Sequence, residues 1–501
     1  MGEHVERLKQ HLYRYHDLQA ANSVLSWDQE VYMPPKGIEA RGEQMATLAA
    51  MAHEIFTSAE TGRLLEAAEA EVAGMDYDSD EASLVRVLRR DYDKMVKIPT
   101  ELIAEQARIT AQAFVAWREA RQQANYQLFQ PHLQKVVDWN YKVVDILGYK
   151  EHPYDTLLDF YEPGMTTAEV ARLFGELKAG LVPLLQDIVA RGKPVDDSFF
   201  SQEYPEDRQW DVSMAALREI GYDFSRGRQD KTAHPFTTTF SVNDVRVTNR
   251  FMRNRPQSSF FSAVHEGGHA LYEQGVNPAY DRTALMGGAT LGVHESQSRL
   301  WENIVGRSRN FWRYFLPVFR AFFPEQMEGV TLERFYRAIN KVEPSFIRVE
   351  ADEVTYNLHI FVRFELEQAL ITGDLHVADV PDAWNAKYQA YLGITPPDDA
   401  QGCLQDVHWS HGTLGYFPTY ALGNLMAAQL YAQAQKEIPD LEESFARGEF
   451  SLLLGWLREK VHWHGTKFTA AELMQRITGG SIEAQPLLDF LRAKYTEIYE
   501  L

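Results

Sequence analysis

Hydrophobic and polar positions follow a helical period along most of this 501-residue chain. Apolar residues recur three and four positions apart, which is typical of helices with one buried face. Neither an internal repeat nor a linker rich in Ser, Gly and Pro interrupts the pattern. We therefore predict a mainly α fold, formed by a single domain over residues 1–501 with two lobes around a central cleft. The predicted helices cover residues 3–20, 38–74, 80–92, 98–146, 166–191, 208–220, 258–274, 290–306, 308–322, 331–342, 346–372, 419–436, 440–447, 450–461 and 469–477.

The segment 233–251 departs from the helical pattern. It is rich in Thr, Val and Phe with partial alternation, which is typical of strands. Asn243 and Asp244 suit a turn between two such strands. We predict a small β-sheet directly before helix 258–274. Its edge either pairs with an extended peptide or belongs to a purely structural hairpin, and the sequence leaves both interpretations open.

The pentapeptide His265-Glu266-Gly267-Gly268-His269 lies within a predicted helix. Two histidines four residues apart point to the same side of a helix, so both imidazoles can bind one metal ion. Glu266 lies about 100° round the helix, where it can contact a water on that metal without being a ligand. Each glycine costs about 1 kcal/mol relative to Ala in a helix interior. Their presence predicts that another backbone, or a substrate, approaches closely. The pattern is typical of zinc hydrolases and indicates a peptidase.

A third metal ligand is expected from a second helix, because the residues after His269 exclude the metzincin pattern of three histidines. Glu295, in predicted helix 290–306, is the first choice, and Glu302 is the second. Glu273 is a poor choice, since a third ligand from the same helix closes a tetrahedral site badly. The alternative interpretation of Glu295 is a structural i,i+4 ion pair with Arg299.

Predicted helix 346–372 carries a polar row beside its apolar stripe. Arg348 in that row either binds a substrate carboxylate through its two-pronged guanidinium group or pairs internally with Asp352, and both interpretations remain open.

The segment 402–409 reads Gly-Cys-Leu-Gln-Asp-Val-His-Trp and has no helical period, and Pro418 suits the first turn of the next helix. His408 and Tyr420 are candidates for stabilising a developing oxyanion. Cys403 near His408 also suggests a thiol nucleophile, but the sequence disfavours it because no oxyanion motif accompanies the pair.

Composition narrows the function further. Fifty basic and 71 acidic residues give a formal charge of −21, which disfavours nucleic acid as a partner. The sequence has no apolar run of membrane-spanning length and no signal peptide at its start. Its single cysteine, Cys403, excludes an internal disulfide. We therefore expect a cytoplasmic location, with neither nucleic acid nor membrane as a partner.

Several motifs together resemble the carboxypeptidase Taq family of cytosolic metallocarboxypeptidases. They span nearly the whole chain and occur in the family's order. They are Ser26-Trp27-Asp28-Gln29 with Met33-Pro34, His234-Pro235-Phe236, Asp244-Val245-Arg246-Val247-Thr248, the HExxH pentapeptide, His294-Glu295-Ser296-Gln297, Ile347-Arg348-Val349-Glu350-Ala351-Asp352 and Gly402 to Trp409.

The resemblance implies a large two-lobed helical fold with a deep substrate groove, like that of neurolysin and angiotensin-converting enzyme. It implies removal of single residues from peptides with a free C-terminal carboxylate, with broad specificity. It also implies a homodimer and one divalent metal ion per chain, with zinc as first choice and cobalt or manganese as alternatives.

For individual residues, the resemblance implies that Arg348 recognises the substrate carboxylate, with Tyr416 as a weaker contact. His408 and Tyr420 look like the oxyanion-binding His and Tyr of angiotensin-converting enzyme. His234 and Arg246, from the shared motifs, are further substrate-binding candidates.

The predicted reaction uses a metal ion held by His265, His269 and Glu295, with Glu266 as general base for the attacking water. Two other functions compete with this one. A metallo-oligopeptidase would share the chemistry but cut within peptides. A non-catalytic peptide-binding scaffold would not need the general base Glu266, and is therefore the weaker rival.

Overall fold

The computed structural model describes residues 2–501, and the described chain is mainly helical, as predicted. The helices are α1 Glu3–Val31, α2 Ile38–Phe56, α3 Ala59–Val72, α4 Asp80–Lys97, α5 Thr100–Gln123, α6 Tyr126–Leu147, α7 Pro153–Leu158, α8 Thr167–Arg191, α9 Glu206–Ile220, α10 Pro256–Gly275, α11 Leu291–Arg299, α12 Arg309–Phe322, α13 Leu332–Ile339, α14 Thr355–Thr372, α15 Val380–Leu392, α16 Pro418–Glu437, α17 Leu441–Ala446, α18 Ser451–Lys460, α19 Ala470–Thr478 and α20 Gln485–Tyr499. Among them, no helix is long and apolar enough to span a membrane.

The chain divides into two compact units, each assembled from three separate segments. The first unit contains the chain up to Val96 together with Asp196–Ile339 and Leu430–Ser481. The second unit contains Lys97–Val195, Asn340–Gln429 and Ile482–Leu501. Because each unit is built from segments that are distant in sequence, no single stretch of the sequence acts as a linker between the two units. The interpretation of residues 1–501 as one domain around a central cleft stays a prediction.

Two long predicted helices are each broken by a capping residue. Residues 38–74 form α2 and α3, because the Ser58 side chain accepts a hydrogen bond from Thr61 N at 3.1 Å and starts a new helix. Residues 98–146 form α5 and α6. There Ala124 has a left-handed conformation, with φ +49°, and Asn125 caps α6.

The first unit contains the predicted sheet, with one strand more than expected. Its strands are β1 Gln229–Lys231, β2 Thr237–Ser241 and β3 Asp244–Asn249. β3 lies in the centre, parallel to β1 and antiparallel to β2. The turn between β2 and β3 is formed by Val242 and Asn243, one residue earlier than predicted. The sheet packs on α10.

Helix α10 is anchored by an aromatic cluster on its buried face. Phe260 packs against Trp312, Phe315 and Phe319 of α12, with ring centroids 5.1, 5.5 and 6.0 Å away. Each fully buried aromatic side chain of this kind contributes about 2–3 kcal/mol to stability. The opposite edge of α10 is left to carry the HExxH residues.

The two glycines of the HExxH pentapeptide permit close packing, as predicted. A Cβ atom on Gly268 would lie 2.6 Å from Ser298 Cα and 2.7 Å from Gln297 O. The backbones of α10 and α11 therefore touch at this point, which brings the second helix beside the histidines. A Cβ on Gly267 would lie 2.7 Å from the Leu217 side chain of α9.

The predicted helix 346–372 begins nine residues late, at Thr355. Asp352 starts it, because its Oδ1 accepts hydrogen bonds from Val354 N and Thr355 N at 2.9 and 3.0 Å. Arg348 lies in a separate 3₁₀ turn over Arg348–Glu350. The helical row that was to hold Arg348 beside Asp352 therefore does not exist, and the Arg348–Asp352 pair considered above is not formed.

Candidate active site

Three side chains of the first unit converge as the sequence predicted. His265 and His269 of α10 and Glu295 of α11 each place one ligand atom within 4.8 Å of the others. Glu295 Oε2 lies 3.8 Å from His265 Nε2 and 3.5 Å from His269 Nε2. We call these three residues the metal-ligand cluster. The distances from Glu295 Oε2 to the Nε2 atoms of the two histidines are longer than those of a normal hydrogen bond.

Glu295 also makes the ion pair that was its alternative interpretation. Its Oε1 accepts a hydrogen bond from Arg299 Nε at 2.6 Å, while Oε2 faces the histidines. Burial raises the pKa of Glu295, but Arg299 and the histidines outweigh burial and hold that pKa well below its usual range. The carboxylate is therefore ionised and oriented, as a ligand requires, and the two interpretations are compatible.

Glu302, the second choice as third ligand, instead contacts the far side of His265. Its Oε2 lies 2.9 Å from His265 Nδ1 and 3.3 Å from Arg299 Nη1, while Arg307 Nη2 donates to Oε1 at 3.2 Å. A π-helical segment, Leu300–Val305, carries Glu302. Such wide turns are frequent at functional sites. A carboxylate on Nδ1 fixes the ring so that Nε2 is directed at a metal.

A longer chain of contacts supports His269. Its Nδ1 lies 2.6 Å from His294 Nδ1, and His294 Nε2 lies 2.7 Å from Glu273 Oε1. When His269 binds a metal through Nε2, its Nδ1 carries the hydrogen and donates it to His294. His294 then donates from Nε2 to Glu273. The sequence had suggested Glu273 only as a poor metal ligand, and it had suggested no role for His294.

Glu266 occupies the place expected of a general base. It is buried in the first unit, and Thr237 Oγ1 of β2 donates a hydrogen bond to its Oε2 at 2.7 Å. Burial raises the pKa of Glu266 above its ordinary value, although His265 and Thr237 act in the opposite direction. A carboxylate with a raised pKa is a better proton acceptor near neutral pH. Thr237 is a site residue that the sequence analysis missed.

The donor set of the metal-ligand cluster fits a divalent ion. Two imidazoles and one carboxylate are the protein ligands of one common class of catalytic zinc site. Both histidines have a partner at Nδ1, which leaves Nε2 as the free ligand atom in each. Burial lowers the pKa of His269 to about 3, so this imidazole is neutral and can act as a ligand at physiological pH.

In the second unit, Arg348 is held by a partner that the sequence did not predict. Asp406 Oδ1 accepts hydrogen bonds from Arg348 Nε and Nη2 at 3.0 and 2.8 Å, and Asp406 Oδ2 accepts one from Arg363 Nε at 2.6 Å. Burial raises the pKa of Asp406, but the two guanidinium groups outweigh burial and hold it well below its usual range. One carboxylate thus serves two buried cations, of which Arg363 is fully buried and Arg348 retains 5% exposure.

His408, Tyr416 and Tyr420 lie together beside Arg348. His408 Nε2 is 3.3 Å from Tyr420 Oη, and the Arg348 guanidinium carbon is 4.9 Å from the centre of the Tyr420 ring. The Tyr416 ring lies 5.3 Å from the Tyr420 ring and 5.4 Å from His408. We call Arg348, Asp406, His408, Tyr416 and Tyr420 the arginine–tyrosine cluster. Burial lowers the pKa of His408 to about 3, so its imidazole is neutral.

His234 and Arg246 both lie in the first unit. His234 is exposed in the bend before β2. Arg246 donates to both carboxylate oxygens of Asp244, each at 2.8 Å, and stacks on Trp27 at 4.3 Å. Its guanidinium group is therefore largely engaged.

The single cysteine lies in an environment that disfavours the nucleophilic thiolate form. Cys403 is buried in the second unit, and burial raises the pKa of its thiol far above the ordinary value. The thiol nucleophile that the sequence analysis disfavoured therefore finds no support in this environment.

Comparison with known proteins gives a match along the whole chain. A sequence profile described as carboxypeptidase Taq (M32) metallopeptidase matches residues 7–495. The chain is 44% identical over 492 residues to thermostable carboxypeptidase 1 of Thermus thermophilus, with 96% of each chain covered. It is 40% identical over 481 residues to carboxypeptidase 1 of Bacillus subtilis, again with 96% of each chain covered.

Solved structures agree with this match. The crystal structure of the M32 carboxypeptidase from Deinococcus radiodurans superposes with a TM-score of 0.97 at 42% identity, covering 100% of both chains.

Proposed function

Because this chain belongs to the carboxypeptidase Taq family of metallopeptidases and is a metallocarboxypeptidase, we propose how its own residues divide the work. His265, His269 and Glu295 hold one divalent metal ion. Glu266 is the general base, Arg348 recognises the C-terminal carboxylate, and His408 and Tyr420 stabilise the oxyanion. The main support is the convergence of three ligand atoms within 4.8 Å, next to a buried glutamate.

A divalent ion bound at this site supplies Lewis acidity, which lowers the pKa of a bound water to about 7 in favourable sites and polarises a carbonyl. Glu266 Oε2 accepts the proton of the attacking water and later passes it to the leaving amine. Thr237 keeps that carboxylate in place through its 2.7 Å hydrogen bond. Glu302 and His294 fix the imidazole rings of His265 and His269.

His408 and Tyr420 act as neutral hydrogen-bond donors to the developing oxyanion. A neutral imidazole donates from one nitrogen only, and the 3.3 Å contact with Tyr420 aligns Nε2 with the phenol. Donors placed in advance cost no reorganisation when the charge develops. Because the pKa of His408 is about 3, its role is to donate a hydrogen bond and not to exchange a proton.

Arg348 is suited to bind a carboxylate because it shares its one anionic partner, Asp406, with the neighbouring Arg363. Asp406 supplies one negative charge for Arg348 and Arg363 together. Glu367, which interacts electrostatically with Arg363, has a pKa raised by burial to about 7 and compensates the second cation only in part. A substrate carboxylate would complete the balance, and we propose that Arg348, the more exposed arginine, binds it. Tyr416 is proposed as a weaker contact.

We propose zinc as the metal, with cobalt or manganese as alternatives, since two histidines and a carboxylate accept all three. Reconstitution of the metal-free protein with each ion, followed by activity measurement and metal analysis, distinguishes them. His234 and Arg246 remain proposed as weaker substrate contacts. Arg246 already forms an ion pair with Asp244.

We also propose a homodimer in the cytoplasm that acts on peptides. Sparse cysteine usage, with Cys403 alone in 501 residues, is consistent with a reducing compartment. Sedimentation at several protein concentrations tests the dimer, and fractionation of the source cells tests the location.

Mass spectrometry of mixed peptides after incubation with the metal-loaded enzyme tests the proposal. Each peptide is supplied as free acid and as amide. Loss of one C-terminal residue at a time, from the free acids only, is the expected result. Internal cleavage of acids and amides alike would indicate an oligopeptidase and remove the role proposed for Arg348. Retained metal without any cleavage would indicate the scaffold function.

A further inference from the structure

Glu367 of α14 is a fully buried carboxylate that binds both ends of one short segment of the second unit. Its Oε1 accepts a hydrogen bond from Trp409 Nε1 at 2.8 Å. Its Oε2 accepts one from Gly415 N at 3.0 Å. Trp409 directly follows His408 in the chain, and Gly415 directly precedes Tyr416. Segment 408–416 therefore begins and ends with a proposed functional residue, and one carboxylate binds next to each.

The segment between these two contacts is held together by hydrogen bonds among its own residues. Gly412 N donates to Trp409 O at 3.1 Å, and Thr413 Oγ1 donates to His408 O at 2.9 Å. Gly415 has φ +95°, and a Cβ atom there would lie 2.6 Å from Leu157 O of α7. Only glycine fits this position. The backbone amide that reaches Glu367 is thus fixed by the neighbouring helix as well.

We propose that Glu367 is a positioning residue for His408 and Tyr416. The inference rests on the function proposed for His408 and extends it to a group that does not itself touch the substrate. A buried carboxylate that accepts two hydrogen bonds sets the separation of its donors closely, because charge-assisted bonds are short and strong. Replacing the carboxylate by an amide exchanges one acceptor oxygen for an NH2 donor, so one of the two buried N–H groups loses its acceptor and the segment must move to satisfy it.

A purely structural role is the competing explanation. Glu367 also accepts a hydrogen bond from Tyr154 Oη of α7 at 2.5 Å, so it links helices as well as the segment. If the role of Glu367 is purely structural, its substitution lowers the stability of the protein, and any effect of that substitution on kcat is the same with or without His408. A positioning group acts through His408, so its effect disappears when His408 is already absent. A double-mutant cycle separates the two explanations.

The experiment compares Glu367→Gln, His408→Ala and the double variant as metal-loaded full-length enzymes on one free-acid peptide. Glu367→Gln is expected to lower kcat about 10- to 100-fold with KM changed less than about threefold, since a displacement of about 1 Å at a reacting centre has this effect. In the His408→Ala background, the same change is expected to lower kcat less than about threefold.

Glu365→Gln is the matched control on the same helix. Its carboxylate binds Lys178 and Lys387 and has no described contact with segment 408–416. This variant is expected to keep the wild-type kcat. Thermal unfolding of every variant accompanies the kinetics.

Three results would overturn the proposal. The first is an impaired His408→Ala enzyme together with a double variant whose loss of kcat equals the product of the two single losses. This result would leave the role of His408 intact. The second is a lowered unfolding temperature with unchanged kcat for Glu367→Gln. The third is a fully active His408→Ala enzyme, which removes the function proposed for His408 as well. Should Glu367→Gln fail to fold, Trp409→Phe replaces it in the cycle, because it removes one of the two donors and keeps an aromatic side chain.

Discussion

The metal-ligand cluster and the arginine–tyrosine cluster are built in different ways. His265, His269 and Glu295 come from two successive helices within 31 residues of chain. Arg348 is held by Asp406, which is 58 residues away in sequence, and both lie in turns outside regular helices. The first arrangement follows from helix geometry, whereas the second follows from tertiary contacts. The same contrast predicts different responses to mutation.

The polar partners of the two clusters also differ. In the metal-ligand cluster, Glu302 contacts Nδ1 of His265 and His294 contacts Nδ1 of His269, which leaves Nε2 of each ring facing Glu295. Around the arginine–tyrosine cluster, the single carboxylate of Asp406 pairs with both Arg348 and the neighbouring Arg363, which leaves a partial excess of positive charge. The first region is therefore suited to hold a cation and the second to hold an anion.

The largest effect is expected from Glu266→Gln, which removes the proton acceptor but keeps a side chain that Thr237 can bind. The kcat for a free-acid peptide should fall about 1,000-fold, within the range for general base catalysis. Metal content and KM should remain near those of the wild type. Metal analysis and steady-state kinetics check this, and an active Glu266→Gln enzyme would place the base elsewhere.

Glu295→Gln and Glu302→Gln distinguish the third ligand from its neighbour. Glu302 is expected to behave as an outer partner, so its loss weakens metal affinity about 10- to 100-fold. Loss of Glu295 should weaken the affinity by more than that range, because a ligand is removed. Competition with a chelator of known affinity measures both constants. The reverse order would show that Glu302 is the ligand.

His294→Leu is expected to weaken metal binding about tenfold, because it removes the acceptor for His269 Nδ1–H. His294→Gln should recover part of the loss, since its amide can accept from His269 and donate to Glu273. The same chelator competition applies, with Arg348→Gln as a control from the other cluster. Equal affinities for the wild-type protein and His294→Leu would contradict the orienting role.

The smallest expected effect is on the pH dependence of folding stability. It concerns two buried carboxylates of the second unit whose pKa values are shifted in opposite directions. The pKa of Asp406 is lowered in the folded state, so its contribution to stability is present above about pH 4 and is lost as the pH falls further. The pKa of Glu367 is raised by burial to about 7, so its ionisation reduces stability as the pH rises from about 4 through 7.

Urea unfolding midpoints across this pH range check both signs. The penalty of Asp406→Asn should shrink below about pH 4. The penalty of Glu367→Gln should shrink as the pH rises from about 4 to about 7. Penalties that do not vary with pH would contradict the assigned shifts.

The metal-ligand cluster was predictable because its geometry is local. A spacing of four residues places two histidines on one side of α10, and the glycine at position 268 predicted the close approach that brings α11 alongside. The fold class, the small sheet and the ranges of α8, α10, α12 and α16 were likewise readable from periodicity, whereas α1 extends to Val31, eleven residues beyond its predicted end. Ser58 and Asn125 are residue types that favour helix starts, so the division of α2 from α3 and of α5 from α6 was predictable as well.

The second cluster could not be predicted to the same depth. The pattern after Ile347 suggested a helix, but α14 begins only at Thr355, after a turn in which Asp352 Oδ1 accepts from Val354 N and Thr355 N, and Arg348 lies in a separate 3₁₀ turn. Its ion pair with Asp406 depends on the folded positions of two distant turns. Helices α7, α15 and α20 were missed as well, and α7 supplies the Leu157 carbonyl that requires a glycine at position 415.

The most direct test of the whole account is the preference of the enzyme for free acids over amides, measured in the wild type and in Arg348→Gln. Specificity constants for one peptide in both forms give this ratio. We expect the wild type to favour the free acid by about 100-fold or more, as one charge-assisted bidentate contact allows, and Arg348→Gln to lose most of this preference. An Arg348→Gln enzyme that keeps the wild-type ratio would contradict the assignment of carboxylate recognition to the arginine–tyrosine cluster.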